Sequence, residues 1–253
     1  LDTVLASFLE TGTLSWLWYS DRLLELPLGV FAIAIATVIL PGLSQDHAMS
    51  SNEQFSRTLN WALRLVLLLG IPASAALFFL SDELIATLFF HGVMTERDVT
   101  MSGVALAAYG AGLLGHMLVK VLLPGYFARQ DTSTPVKFGV IALVSNMFLN
   151  LALIWHFKHV GLALATSFSA FINAGLLIYG LKRSSILVFE PGLSRFLFRI
   201  LIATSIMLLL LSWITPDIES WFEFGNLERL LRMCFICSLG MGSYFACLLA
   251  VSY

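Results

Sequence analysis

The chain of 253 residues is 58% hydrophobic and only 12% charged, with a formal net charge of −2. A soluble domain carries about 25% charged residues, so the bulk of this chain belongs in a bilayer. Near-neutral charge without a basic run gives no signal for a nucleic-acid partner.

Apolar runs long enough to cross a membrane divide the chain into eight segments: 2–18, 23–43, 59–80, 102–127, 135–157, 160–181, 195–214 and 229–252. Runs of this length specify an all-α, polytopic membrane helix bundle, because a barrel needs alternating segments of about ten residues. The first segment is short for a span, and the chain opens on Leu1 with Asp2 and Glu10 in place of a basic signal flank. The expectation is a C-terminal piece of a longer membrane protein, entered within a helix. The short connections leave no room for a separate soluble domain.

Between the first two segments lies a polar cluster, residues 16–27, in which Arg22 is flanked by Asp21 and Glu25. An Arg or Asp at mid-membrane costs about 2.5–3.5 kcal/mol, so such groups face a cavity, a partner or a ligand. The planar guanidinium suits a phosphate or a carboxylate, and Glu25, one turn on, can hold it when no anion is bound. An interfacial salt bridge among lipid headgroups remains the alternative.

Farther along, residues 81–90 are too few to span and read as an interfacial helix, capped by Ser81 and ended by Gly92. Thr95 and Asp98 form a capping-box pattern for the next helix. Pro27, Pro72 and Pro124 begin or interrupt spans and permit kinks. His116 reads as a packed polar residue, and Lys120 as a cation snorkelling to the headgroups.

The fifth segment carries Asn146 and Asn150 at i and i+4. The sixth carries Gly161, Ala165, Ser169 and Asn173 at four-residue spacing, with Thr166 beside them. Small residues let helices approach closely while polar side chains bond across the contact. The same hard oxygens, joined by the carboxylate of Asp2, are also a candidate small-cation site. Cys234, Cys237 and Cys247 lie in one apolar run with no second pair and no nearby histidine, so they read as packing residues. No phosphate-binding loop, H-E-x-x-H or G-x-S-x-G occurs, so the chain carries no enzyme signature.

Basic residues favour one side of the bundle: eight flank the loops after the second, fourth and sixth segments, against five opposite, with Lys120 inside a segment. The positive-inside rule then puts the C-terminus in the cytoplasm and Arg22 near the outer end.

The run Trp16 to Pro27, continued by Gly29, resembles the lipid II flippase family known as MurJ or MviN, as does the run Leu40-Pro41-x-Leu43-Ser44. The run 123–137, with Leu123-Pro124-Gly125-Tyr126-Phe127-Ala128-Arg129-Gln130-Asp131-Thr132, is its most specific part, and the likeness covers the whole chain. The resemblance implies fourteen membrane helices in all: two six-helix lobes facing a central cavity, and two further helices. This chain would then run from within the seventh helix to the fourteenth, with residues 1–183 as the C-terminal lobe and 184–253 as the added pair, a groove for a long lipid tail. It also implies a bacterial inner-membrane protein that flips the undecaprenyl-pyrophosphate-linked peptidoglycan precursor from inner to outer leaflet, together with an N-terminal lobe. Arg22 takes the place of a cavity-facing arginine implicated in holding the substrate pyrophosphate, and Asp21 and Glu25 beside it complete the candidate substrate-binding set. Asp2, Asn146, Asn150 and Thr166 look like a sodium site, and no other cofactor is implied. A related O-antigen or drug exporter and a non-transporting structural subunit stand as alternatives.

Overall fold

A computed structural model describes residues 2–252, with the side chains of Asp2, Val4, Val251 and Ser252 outside the description. The described chain is helical and contains no β-strand. Helix α1 (Asp2–Ala6) ends in a turn at Gly12, whose φ of 103° is open to glycine at little cost. From there α2 (Thr13–Pro27), a π-helical turn (Leu28–Ile33) and α3 (Ala34–Ala48) run on as a single helix. The expected break between the first two spans therefore falls at residues 7–12, not within the polar cluster. Pro27 removes a backbone donor, and the wider π turn absorbs that loss without ending the helix.

Helix α4 (Asn52–Phe79) returns across the bundle, and α5 (Ser81–Phe89) lies at its far end. Ser81 falls inside α5 and forms no side-chain cap, in contrast to expectation; the acidic pair Asp82 and Glu83 occupies the first turn instead. Helix α6 (Glu96–Phe127) opens with the expected Thr95–Asp98 capping box. It is the central post of the bundle, packed against α2, α3, α4, α5 and α7. Helix α7 (Ser133–Arg183) is two spans meeting at Lys158, whose φ of 50° reverses the path. Helices α8 (Leu193–Ile214), α9 (Ile218–Glu223) and α10 (Asn226–Ser252) follow, with α8 and α10 packed together and α8 against α4.

Two faces of small residues on the second half of α7 explain its placement. Ser169 Oγ donates to the Ala142 carbonyl on the first half at 2.8 Å. The opposite face meets α6, where Ser167 Oγ donates to the Ala108 carbonyl at 2.7 Å and a Cβ at Gly112 would lie 2.6 Å from Ser167 Cα. Only a glycine admits that approach. Cys234 and Cys237 are exposed free thiols on α10 and not buried packing residues. Their helix turns that stripe outward, where an apolar thiol suits lipid.

Arg229 also departs from its expected place among the loop cations. It is 5% exposed, and its guanidinium donates to the carbonyls of Trp221, Phe90 and Phe222 at 2.9, 3.1 and 2.9 Å. The chain turns out of α9 with carbonyls unpaired by helix bonds, and one planar fork satisfies three of them. Together with the bond from Trp221 Nε1 to Thr87 Oγ1 at 3.0 Å, it fastens the C-terminal helices to α5.

Candidate functional site

Helix α2 buries Trp16, Ser20, Leu23, Leu24 and Pro27, a stripe at helical spacing turned toward α6. Ser20 Oγ donates to the Ser102 carbonyl at 2.6 Å, and Trp16 Nε1 donates to Asp98 Oδ1 at 2.8 Å. With that face fixed, Trp18, Arg22 and Glu25 stand at i, i+4 and i+7 on the opposite side. Arg22 Nη1 donates to Glu25 Oε2 at 2.8 Å, and the guanidinium carbon lies 5.2 Å from the Trp18 ring centroid. Both ion-pair side chains are 53% exposed. An exposed pair of this kind contributes only a few tenths of a kcal/mol in water, so an incoming anion displaces it easily. Asp21 projects beside it, exposed and without a hydrogen bond to either residue.

Arg22 is neither sealed against protein nor beyond the end of its helix. It lies nine residues inside Thr13, about 14 Å along the axis, on the open face of a span. Its neighbours on that face, Leu26 and Val30, are exposed apolar side chains. Glu25 is its counter-ion here, and the open face leaves the guanidinium accessible to a competing anion.

The second candidate group is also brought together. Asn150 Nδ2 donates to Asn146 Oδ1 at 3.0 Å, Asn146 Nδ2 to Thr166 Oγ1 at 3.4 Å, and Thr166 Oγ1 to the Leu162 carbonyl at 3.0 Å. Asn146 and Thr166 line an open cavity of about 290 Å³ together with His116, Ser169 and Asn173. The side chain of Asp2, the expected carboxylate of this set, lies outside the described residues. Among the described residues no group of three His, Cys, Asp or Glu side chains converges. The amide and hydroxyl oxygens suit a hard monovalent cation, although each bond above would have to loosen to admit one.

Nothing local in the sequence announced the clasp where α1, α6 and the middle of α7 meet. Glu10, in the turn after α1, pairs with Lys158 Nζ at 2.7 Å and Arg97 at 3.1 Å. The Lys158 ammonium holds the Glu10 carboxyl below its usual range. His159, next in the chain, donates to the Met101 carbonyl at 3.1 Å and packs its ring 5.3 Å from that of Trp16. These contacts join residues 58 to 148 positions apart, beyond the reach of any spacing pattern.

Two side chains of the run 123–137 fix local structure. Tyr126 Oη donates to the Leu177 carbonyl at 2.6 Å, and Asp131 Oδ1 accepts from the Thr134 amide at 3.0 Å, which starts α7. That amide and the Thr134 hydroxyl hold the Asp131 carboxyl below its usual range.

A helical bundle of long apolar spans, with a half-exposed ion pair carried inside one of them, defines a multi-pass membrane protein. The family model described as lipid II flippase MurJ matches residues 1–231. The chain is 46% identical over 248 residues to "Probable lipid II flippase MurJ" of Vibrio cholerae, which covers 98% of this chain and 47% of that protein. It is 35% identical over 254 residues to "Lipid II flippase MurJ" of Burkholderia cenocepacia, covering 100% of this chain and 49% of that one. A solved structure, "Lipid II flippase MurJ, inward closed conformation", matches with a TM-score of 0.81 at 27% identity, over 97% of this chain and 48% of its own. The chain belongs to the lipid II flippase MurJ family. It spans about half the length of the relatives it matches.

Proposed function

We propose that the chain forms the C-terminal lobe and tail groove of a transporter that flips lipid II, the undecaprenyl-pyrophosphate-linked peptidoglycan precursor, across the bacterial inner membrane. The reading makes it a transporter and not an enzyme, completed by an N-terminal lobe. The observation that carries it is the Arg22–Glu25 pair, held half-exposed on the open face of a span. A pyrophosphate must cross a low-dielectric slab, and charge-assisted hydrogen bonds from Arg22 replace part of the water it loses. Glu25 keeps the guanidinium extended when no substrate is present, then releases it to the anion. Asp21 adds negative potential beside the pair, which favours release of the bound pyrophosphate.

The polyprenyl chain stays in lipid. Between α4, α8 and α10 runs an apolar cavity of about 420 Å³, lined by Pro72, Ala76, Met207, Leu211, Tyr244 and Phe245. Its walls suit an isoprenoid tail. Nine of the fourteen basic residues, but only four of the sixteen acidic ones, belong to the end holding the α3–α4, α6–α7 and α7–α8 turns. That asymmetry supports a cytoplasmic location for this end and for the C-terminus. The Asn146–Asn150–Thr166 cluster supports a weak sodium site whose occupancy loosens the contact between the two halves of α7.

The test is translocation of lipid II by the complete protein in proteoliposomes. Arg22→Ala abolishes it while insertion and folding persist, and Arg22→Lys retains a small fraction, since an ammonium cannot reproduce bidentate contact. Normal flipping by Arg22→Ala contradicts the role.

A further inference from the structure

The stripe of α2 that carries Arg22 continues outward. Ser15, Tyr19 and Arg22 stand at i, i+4 and i+7, a track about 10 Å long on one helix face. Its outer end forms one wall of a cavity of about 240 Å³. The opposite wall comes from Phe89 at the end of α5, His91 and Met94 in the turn that follows, and Asp98 in the first turn of α6.

This cavity is built from fixed parts. The rings of Tyr19 and Phe89 make one aromatic surface, with centroids 4.8 Å apart at 42°. Its base is set by the bond from Trp16 to Asp98, whose other oxygen is held by the Thr95 amide and hydroxyl. The side chains of Ser15, Tyr19 and His91 form no hydrogen bond to any described residue, which leaves two hydroxyls and an imidazole available around the rim. No Lys or Arg lines the cavity, so it offers nothing to a second phosphate or to a peptide carboxylate. Aromatic faces beneath a rim of hydroxyls and an imidazole, with the Asp98 carboxylate at the base, suit a ring with an apolar C–H face and a hydroxyl edge. The volume is below the roughly 300–1,000 Å³ of sites that enclose a whole drug-sized ligand, so it takes one ring.

We infer that this cavity is a saccharide subsite, which receives a sugar ring of the lipid headgroup while Arg22 holds the pyrophosphate. The inference rests on the flippase reading of Arg22. The sugar stacks on Tyr19 and Phe89, and its hydroxyls bond to Ser15, Tyr19 and His91. The subsite lies outward of Arg22, so it stabilises the headgroup late in its passage.

The experiment uses the complete protein in lipid nanodiscs, with methyl N-acetyl-β-glucosaminide followed by saturation-transfer NMR. The chain binds this probe, and Phe89→Ala or Tyr19→Ala weakens binding at least tenfold. Ser15→Ala, an exposed position that cannot unfold the helix, weakens it several-fold. Trp213→Ala, at an aromatic residue 89% exposed on α8, leaves binding unchanged. Absence of sugar binding, binding unaffected by all three subsite variants, or transfer to a short peptide probe in place of the sugar overturns the subsite. Inorganic pyrophosphate is measured in parallel against Arg22→Ala. Arg22-dependent pyrophosphate binding without sugar binding removes the subsite and leaves the flippase reading in place. Pyrophosphate binding independent of Arg22 removes the reading on which the subsite rests.

Discussion

Arg229 on α10 and Phe90 beyond α5 are 139 residues apart in sequence, yet the guanidinium donates to the Phe90 carbonyl and lies 4.8 Å from its ring centroid. The same fork takes two further carbonyls at the end of α9. Replacing it leaves one buried and two part-buried acceptors without this donor, each a charge-assisted bond of about 1.5–3 kcal/mol. Those bonds are not additive, so Arg229→Ala is expected to lower stability by about 3–4 kcal/mol, read as thermal unfolding in detergent. Arg229→Lys recovers less than half of that, because a compact ammonium cannot span the three carbonyls. Unfolding unchanged by Arg229→Ala contradicts the clasp.

Gly112 and Gly175 make a paired test of helix packing. A Cβ on Gly112 collides with the Ser167 side chain and backbone, whereas nothing lies within 4 Å of one on Gly175. Gly112→Ala therefore forces α6 and α7 apart and costs about 1–3 kcal/mol. Gly175→Ala gains helix propensity, worth up to about 1 kcal/mol, without a clash. Equal melting temperatures for the two variants contradict the close approach.

Two acids outside the spans give stability opposite dependences on pH. Burial pushes the Glu83 carboxyl up to about 7 from 4.5, assisted by the neighbouring Asp82 charge. Its folded form binds the proton more tightly, so this contribution is fully present below about 4.5 and is lost as pH rises toward 7. Glu83→Gln removes that slope. Glu10 has the reverse sign: Lys158 lowers its carboxyl, so its contribution is present above 4.5 and is lost as pH falls. Glu10→Gln therefore flattens the acid limb alone. Urea midpoints measured from pH 3 to pH 8 separate the two, and a Glu83→Gln profile parallel to that of the parent contradicts the assignment.

Long-range architecture was legible because membrane spans are written in uninterrupted apolar runs. The break at Lys158 fell where two such runs meet, and the capping box at Thr95 needed only a three-residue spacing. The continuity of residues 13–48 was hidden: Asp21, Arg22 and Glu25 look like a loop in one dimension, but they occupy one face while Leu23 and Leu24 maintain the buried stripe. Arg229 was unreadable for a related reason, since a cation beside a turn carries no sign of the carbonyls that fold over it. The pairing of Arg22 with Glu25 followed from i, i+3 geometry alone. The aromatic cavity above it did not, because its walls come from three elements.

The central claim is that Arg22 recognises a lipid pyrophosphate. Binding of an undecaprenyl pyrophosphate and of the uncharged polyprenol, each to the parent chain and to Arg22→Ala in nanodiscs, tests it most directly. The account predicts at least a tenfold preference for the pyrophosphate in the parent, erased in the variant through loss of pyrophosphate binding only, while polyprenol binding in the α4–α8–α10 groove stays constant. A preference that survives in Arg22→Ala contradicts it.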